Sequence, residues 1–126
     1  MRLLLLLAFP IVAGLTGVAQ ADMRVSFEWG PTRKCFDSNS PPFQISGVPE
    51  GTKHLEFRMR DNDAPKFNHG GGDVAFEGQQ SLPYGAFRYK GPCPPYGMHT
   101  YVFTVKAVDA KGKVLATAKA ERAFPQ

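Results

Sequence analysis

The sequence predicts an all-β fold with few or no helices, arranged as a Greek-key β-sandwich. Three observations predict it. Apolar and polar residues alternate with a period of two in several segments, which is typical of half-buried strands. Thirteen glycines and eleven prolines among 126 residues indicate many turns and short strands. The chain after position 21 is long enough for one core and too short for two.

Residues 1–21 are predicted to be a secretory signal peptide. A positively charged start is followed by the apolar run of residues 3–9, and the small side chains of Ala19 and Ala21 suit signal peptidase. An uncleaved membrane anchor is the less favoured alternative, because proline and glycine interrupt a run already shorter than the roughly 20 apolar residues of a spanning helix. We therefore expect a periplasmic or secreted protein whose single domain covers residues 22–126.

The strands can be placed in chain order from their alternation. Residues 24–29 and 54–60 each alternate apolar with polar side chains, and the charges of the second segment are interpreted as a solvated sheet face. Phe87–Tyr89 is predicted to be a shorter strand and residues 100–108 a central one. Residues 114–122 follow a predicted hairpin turn; their alanines favour a helix by propensity and a strand by their spacing, and we prefer the strand.

The two cysteines, Cys35 and Cys93, allow one intramolecular pairing. Because disulfides persist in exported proteins, we predict that the two are bonded. A free Cys93 thiol beside His99 is the alternative, and it would be a nucleophile next to a base.

Long loops rich in proline and glycine separate the predicted strands, and functional groups of small β domains usually lie on such loops. These loops cover residues 31–42, 61–73 and 91–98. Asp61 and Asp63 lie two residues apart in a turn that a following proline stiffens. The prolines after Gly91 leave few backbone donors, so the N–H groups of Gly91 and Cys93 are predicted to be free for a ligand. His69 precedes three glycines whose N–H groups could form an anion nest.

Five motifs in order resemble those of the phosphatidylethanolamine-binding protein family, in its bacterial Raf-kinase-inhibitor-like branch, over about residues 35–109. The motifs are Ser-Pro-Pro-Phe at 40–43, Ser-Gly-Val-Pro-Glu-Gly-Thr-Lys at 46–53, Asp-Asn-Asp-Ala-Pro at 61–65, Gly-Pro-Cys-Pro-Pro at 91–95 and His-Thr-Tyr at 99–101. The resemblance implies a β-sandwich with a small surface pocket that accepts anionic groups such as phosphate or acetate. It also implies possible ligands and targets: members bind phospholipid head groups or inhibit kinases or serine proteases.

The resemblance further implies which residues line the pocket. They are Asp61, Asp63, Gly91, Pro92, Pro94, His99 and Tyr101. The chain departs from the family pattern at Asn62, where proline is usual, and at Thr100, where arginine is usual. The His-Trp strand that supplies another pocket histidine is not recognisable. His69 lies nearest to that position, and whether it joins the pocket is left open.

Several other functions are disfavoured by the sequence. A formal net charge of +4 with dispersed basic residues gives no nucleic-acid surface. The three histidines lack a close-spaced metal-ligand pattern, so neither a metal nor a cofactor is expected. The chain has no Gly-x-Ser-x-Gly motif, which makes a hydrolase less favoured than a binding protein.

The sequence therefore predicts an exported, non-enzymatic binding protein for a small anionic or zwitterionic group such as phosphate or a phospholipid head group. Imidazoles and loop N–H groups would supply donors, while carboxylates would accept from an ammonium or a protonated oxygen. The alternative is a secreted protein-binding module, such as a protease or kinase inhibitor, that presents its rigid proline-rich loop to a target. Peripheral membrane contact is left open and not predicted.

Overall fold

The structure, a computed structural model, describes residues 10, 11, 14 and 22–126. The predicted signal peptide over residues 1–21 lies outside the described residues apart from those three positions. The described part contains seven strands and no helix, which confirms the all-β prediction. In the same residues there is accordingly no helix with the length and apolar character needed to cross a membrane.

The strands form two antiparallel sheets. They are β1 (Arg24–Phe27), β2 (Phe43–Ser46), β3 (Thr52–Asp61), β4 (Gly71–Ala75), β5 (Ser81–Leu82), β6 (His99–Asp109) and β7 (Val114–Phe124). One sheet has the order β1-β2-β5 and the other the order β4-β3-β6-β7. The pairing of β3 with β6, far apart in the chain, fixes the centre of the larger sheet. Its register ends with Asp61 opposite Tyr101, which brings the last residue of β3 to the start of β6.

Inward-facing side chains of the two sheets meet in a core dominated by aromatic rings. The ring of Phe43 in the smaller sheet packs edge-on against Phe57 and Phe103 in the larger one, with centroids 4.9 and 5.0 Å apart. Such edge-to-face contacts add to the free energy gained by burying apolar surface. The centre of the larger sheet is therefore held against the smaller sheet by contacts from its two central strands, β3 and β6.

Two predicted strands differ from the structure. Strand β1 ends at Phe27, and Trp29 beyond it is held in the core by its indole N–H, which donates to the carbonyl of Ala123 at 2.7 Å. Phe87–Tyr89 is not a strand: only Arg88 forms a bridge, to Asn39. Alternation over three residues reports burial of Phe87 and Tyr89 correctly, but it cannot report whether a partner strand runs alongside them.

The glycines after His69 form a strand and not the predicted anion nest. Gly71 and Gly72 belong to β4 and lie opposite Arg58 and Phe57 of β3. A side chain at Gly71 would collide with the backbone of Phe57, so the close approach of the two strands requires glycine there. Gly71 and Gly72 thus have extended backbone in an edge strand, where successive N–H groups point in opposite directions and do not converge on an anion.

The hairpin at the opposite end of β6 is confirmed. The N–H of Asp109 donates to the carbonyl of Lys113 at 2.9 Å, and Gly112 has the predicted positive φ, 82°. The chain then returns as β7, so residues 114–122 are a strand. Pairing with β6 along the whole length overrides the helix propensity of the alanines, which face the core.

Cys35 and Cys93 lie at disulfide distance, with Cα atoms 4.7 Å apart, which supports the predicted pairing. The backbone N–H of Gly91 donates to the carbonyl of Asp37 at 3.0 Å just beside this crosslink. The loop before β2 and the loop before β6 are therefore tied together at two adjacent points.

Candidate functional site

Asp61 ends β3 and caps the turn that follows it. Its Oδ1 atom accepts the backbone N–H groups of Asp63 at 2.8 Å and Ala64 at 3.2 Å. Aspartate is favoured here because its short side chain satisfies turn donors that a strand end leaves unpaired. The turn is thereby fixed by the residue that also faces the neighbouring strand.

The second carboxylate oxygen of Asp61 pairs with His99, the first residue of β6. His99 Nδ1 lies 2.6 Å from Asp61 Oδ2, and both side chains are largely buried. Burial opposes ionisation of Asp61, but the hydrogen bonds from His99 and from the backbone of Asp63 and Ala64 outweigh it and lower the pKa of this carboxyl. Since the carboxylate only accepts, Nδ1 of His99 carries the proton, and Nε2 is the ring nitrogen left for a ligand.

His69 joins the same group of residues. The structure buries its ring and places Nδ1 2.7 Å from the carbonyl oxygen of Lys90, which can only accept, so Nδ1 is again the donor. The ring packs edge-on against Tyr101 with centroids 5.5 Å apart. The two imidazoles thus have the same hydrogen-bonding pattern, in which the protein uses Nδ1 and leaves Nε2.

Tyr101 lies between the two imidazoles, on β6. Its side chain is fully buried, and its hydroxyl lies near Asp61 and the backbone of Cys93 without a hydrogen bond of normal geometry within the described part of the chain. Burial, and then the negative charge of Asp61, raises the pKa of this phenol, so it remains a neutral donor. The hydroxyls of Thr32 and Tyr89 are also buried without a partner, but of these three described hydroxyls that of Tyr101 is the one whose residue lines a pocket, where a ligand or ordered water can pair with it.

These four side chains line one pocket of about 420 Å³. The rest of its wall is apolar and comes from three loops: Phe36, Ala64, Phe67, Cys93 and Pro95. Phe36 and Phe67 stack at the mouth with centroids 5.7 Å apart. The Lys90 ammonium lies 4.7 and 4.8 Å from the two ring centroids, in cation–π contact with both.

The other predicted site residues do not line this pocket. Gly91 and Pro92 are buried, and the Gly91 N–H is not free for a ligand, because it donates to Asp37. Pro94 lies between the two wall residues Cys93 and Pro95 without lining the pocket itself. The proline-rich loop thus contributes apolar surface, where the sequence predicts backbone donors.

Asp63 lies next to the pocket and not in its wall. Its Oδ2 accepts the backbone N–H of Thr100 at 2.8 Å, which closes the turn onto β6. Ligand atoms of Asp61, Asp63 and His99 lie within 4.8 Å of one another, a spacing that a metal ion could bridge. Both carboxylate oxygens of Asp61, Oδ2 of Asp63 and Nδ1 of His99 already form hydrogen bonds within the protein. The closeness of the three side chains therefore follows from the turn and does not require a metal.

A second cavity of about 450 Å³ lies over the outer face of the larger sheet, beside Arg60, Lys119 and Glu121. Its charges are mixed, and the described part of the chain has no buried polar group without a partner in its wall. The pocket of Asp61 and His99 is therefore the better candidate site.

Sequence reasoning missed four residues of the pocket wall, of which Phe36 and Phe67 are the largest; the other two are Ala64 and Pro95. The two phenylalanines are large apolar side chains inside loops without alternation, and a lysine lies one or two positions before each of them. A phenylalanine in a loop, outside any alternating pattern of apolar and polar residues, is therefore a candidate for lining a pocket. Phe36 has a φ of 52°, a conformation that is strained for a bulky side chain and is enriched at functional sites.

Comparison with known proteins gives two relatives by sequence, while no protein-family model matches the chain. A UPF0098 protein of Methanothermobacter thermautotrophicus is 32% identical over 102 residues, which covers 63% of this chain and 68% of that protein. A UPF0098 protein of Archaeoglobus fulgidus is 32% identical over 91 residues, or 56% of this chain. The chain spans 32% of the length of that second relative.

Two solved structures share the fold. A phosphatidylethanolamine-binding protein homologue from Chlamydia trachomatis matches with a TM-score of 0.64 and 19% identity, over 83% of this chain and 98% of that one. Escherichia coli YbcL, a new member of the mammalian phosphatidylethanolamine-binding protein family, matches with a TM-score of 0.63 and 21% identity, over 82% and 98%. At these identities the likeness concerns the fold.

Proposed function

The chain belongs to the UPF0098 branch of the phosphatidylethanolamine-binding protein family, and from that premise we propose that it is an exported, non-enzymatic binding protein. Its ligand is a small anionic or zwitterionic group, such as phosphate or a phospholipid head group. The observation that carries the proposal is the convergence of two imidazoles and an unpartnered phenol hydroxyl on one pocket with apolar walls.

The donors and acceptors of the pocket suit a phosphate group. Tyr101 supplies a neutral donor, and each imidazole, once protonated, supplies a further donor and a positive charge through Nε2. In the apolar surroundings such hydrogen bonds are stronger than in water. The Asp61 carboxylate accepts from Nδ1 of His99 and so keeps the imidazole oriented with Nε2 free for a ligand.

The carboxylates also favour a zwitterion over a simple anion. Asp63 is exposed and lies within 4.8 Å of the Asp61–His99 pair, where the ammonium of phosphoethanolamine could reach it. We therefore expect phosphoethanolamine to bind more tightly than inorganic phosphate.

Binding without catalysis is supported by the composition of the pocket wall. An Asp–His pair resembles the base half of a catalytic triad, but a nucleophile must lie within hydrogen-bond reach of the histidine. No serine, threonine or free thiol is among the residues that line the described pocket, and Cys93 is engaged with Cys35. The same disulfide supports export to an oxidising compartment, where we expect the mature protein to begin at Asp22.

Calorimetry with inorganic phosphate and phosphoethanolamine tests the proposal. The variant His99→Ala is expected to abolish binding of both, because it removes the oriented imidazole. His54→Ala is the matched control, since His54 is partly exposed on the outer face of β3, where its Nε2 lies 3.9 Å from a carboxylate oxygen of Glu56. Asp63→Asn is expected to retain phosphate binding and to remove the preference for phosphoethanolamine. Unchanged affinity in His99→Ala would contradict the pocket assignment.

A further inference from the structure

The two bonded cysteines differ in exposure and in position. Cys35 is exposed on the loop before β2, and it does not line the pocket. Cys93 is partly buried and belongs to the pocket wall together with His99 and Tyr101. The disulfide therefore connects a residue at the surface, which a reagent can reach, with a residue of the candidate site.

Contacts other than the disulfide also hold the two loops together. The N–H of Gly91, two residues before Cys93, donates at 3.0 Å to the carbonyl of Asp37, two residues after Cys35. A proline precedes Cys93 and two prolines follow it, which restricts the backbone on both sides of this cysteine. Breaking the S–S bond is therefore expected to lower the stability of the loops while Cys93 stays in the pocket wall.

A free thiol at Cys93 would share the pocket wall with an oriented imidazole. His99 is held through Nδ1 by Asp61, at 2.6 Å, so that its Nε2 remains for a proton or a ligand. The other titratable groups of this wall are His69, whose Nδ1 donates to a backbone carbonyl, and the neutral Tyr101. A histidine beside a cysteine accepts the thiol proton and stabilises the thiolate. Reduction would therefore add a negative charge to a wall in which the disulfide is uncharged.

We propose that the Cys35–Cys93 disulfide is a redox switch of the pocket: a dithiol reduces it, and the reduced protein binds anions more weakly. A thiolate of the dithiol attacks Sγ of the exposed Cys35, the S–S bond breaks, and Cys93 leaves as a thiolate. The second thiol of the reductant then displaces Cys35 from the mixed disulfide. The dithiol is thereby oxidised to a disulfide and the cysteine pair is reduced. Of the two protons that the dithiol gives up, Cys35 takes one and Nε2 of His99 takes the other.

The consequence for the ligand rests on the proposed function. In the oxidised protein, Nε2 of His99 and the hydroxyl of Tyr101 are available to an anion in the pocket. In the reduced protein, the Cys93 thiolate pairs with the protonated His99 and repels a second negative group. We therefore expect the affinity for inorganic phosphate to fall about tenfold on reduction.

Two single variants separate the effect of the thiolate from the loss of the crosslink. Cys35→Ser keeps the pocket thiol and Cys93→Ser removes it, while both lack the disulfide. In calorimetry with dithiothreitol present, Cys35→Ser is expected to bind inorganic phosphate about tenfold more weakly than Cys93→Ser. Reduced wild-type protein is expected to match Cys35→Ser. Equal phosphate affinities in the two single variants would overturn the proposal and leave the pair a structural crosslink.

The exchange step has a readout that needs neither phosphate nor a variant without the crosslink. His99→Ala is expected to slow reduction of the oxidised protein by dithiothreitol about tenfold, because the departing Cys93 thiolate loses its partner. His54→Ala, on the outer face of β3, is the control and is expected to be reduced at the wild-type rate.

The site of attack can be mapped on the wild-type protein. After brief treatment with glutathione and then iodoacetamide, peptide mapping is expected to find glutathione on Cys35 and the alkyl group on Cys93. Glutathione mainly on Cys93, or equal reduction rates for His99→Ala and wild type, would overturn the proposal. Normal exchange in a protein that binds no phosphate when oxidised would support the exchange step and contradict the proposed function.

Discussion

Each end of the sandwich has an aspartate that ends a strand and caps the following turn. At the hairpin end, Asp109 Oδ1 accepts the N–H groups of Lys111 at 2.9 Å and Lys113 at 2.8 Å. At the pocket end, Asp61 Oδ1 accepts two N–H groups in the same way. The side-chain bonds described for Asp109 stay within four residues, whereas Asp61 also binds His99, 38 positions away. A turn cap therefore gains chemical function only when tertiary neighbours supply buried partners.

The two ends also differ in how their backbone is held. The hairpin turn obtains its positive φ from a glycine, which adopts it freely. The pocket end places Phe36 in that region and ties its loop by a disulfide and by the bond between Gly91 and Asp37. Rigid loops reduce the entropy lost when a ligand binds. Substitutions at the two ends test whether the pocket end is held more rigidly than the hairpin end.

The largest effect is expected from removing the crosslink. Cys35→Ser with Cys93→Ser opens a loop of sequence separation 58, and the free energy of unfolding is expected to fall by about 4 kcal/mol in the chain-entropy model. Urea denaturation measures the change, and wild-type protein with a reductant serves as the control. The rate of hydrogen exchange is expected to increase more in the pocket loops than in the β6–β7 hairpin. An unchanged urea midpoint would show that the two loops hold together without the bond.

The second largest change in the free energy of unfolding is expected from substituting Asp61, with Asp109 as the comparison at the other end. Asp61→Ala is expected to lower the free energy of unfolding by about 3 kcal/mol, because it leaves three partly buried donors without an acceptor, and Asp109→Ala by about 1 kcal/mol in an exposed turn. The folded-state pKa of Asp61 lies below its ordinary value of 3.8. Its contribution is thus present above that value and is lost as the pH falls through the folded-state pKa. The difference between wild type and Asp61→Ala should therefore narrow on acidification. Equal losses for the two substitutions at neutral pH would remove the contrast between the ends.

The smallest change in stability is expected at Tyr101, where the functional consequence is clearest. Tyr101→Phe removes a buried hydroxyl without a partner, so the free energy of unfolding should stay equal or rise by up to about 1 kcal/mol. Phosphate affinity should fall about tenfold, since the pocket loses a neutral donor. Tyr84→Phe is the matched control, because its hydroxyl donates to Asp37, and it should lower the free energy of unfolding without changing phosphate affinity. Unchanged phosphate affinity in Tyr101→Phe would remove the hydroxyl from the proposed site.

Parts of the site were accessible to sequence reasoning because they depend on short motifs. Asp61, His99 and Tyr101 come from motifs whose order resembles a known family, and the register of β3 with β6 brings them together. The roles of Gly91 and of the glycines after His69 were predicted wrongly. A glycine indicates that the backbone needs space or an unusual conformation. The sequence does not tell whether the reason is an anion nest, a close contact between strands or a buried loop.

The sequence by itself determined the all-β class, the long strands β3 and β6, the hairpin at Asp109 and the one available cysteine pairing, because period-two alternation, turn chemistry and composition act over a few residues. Only the tertiary structure decided that residues 114–122 are a strand, that His69 joins the pocket and that Phe36 and Phe67 meet at its mouth. Each of these depends on pairing or packing between segments far apart in the chain. The free energy of such contacts exceeds local propensity, and no local pattern encodes it.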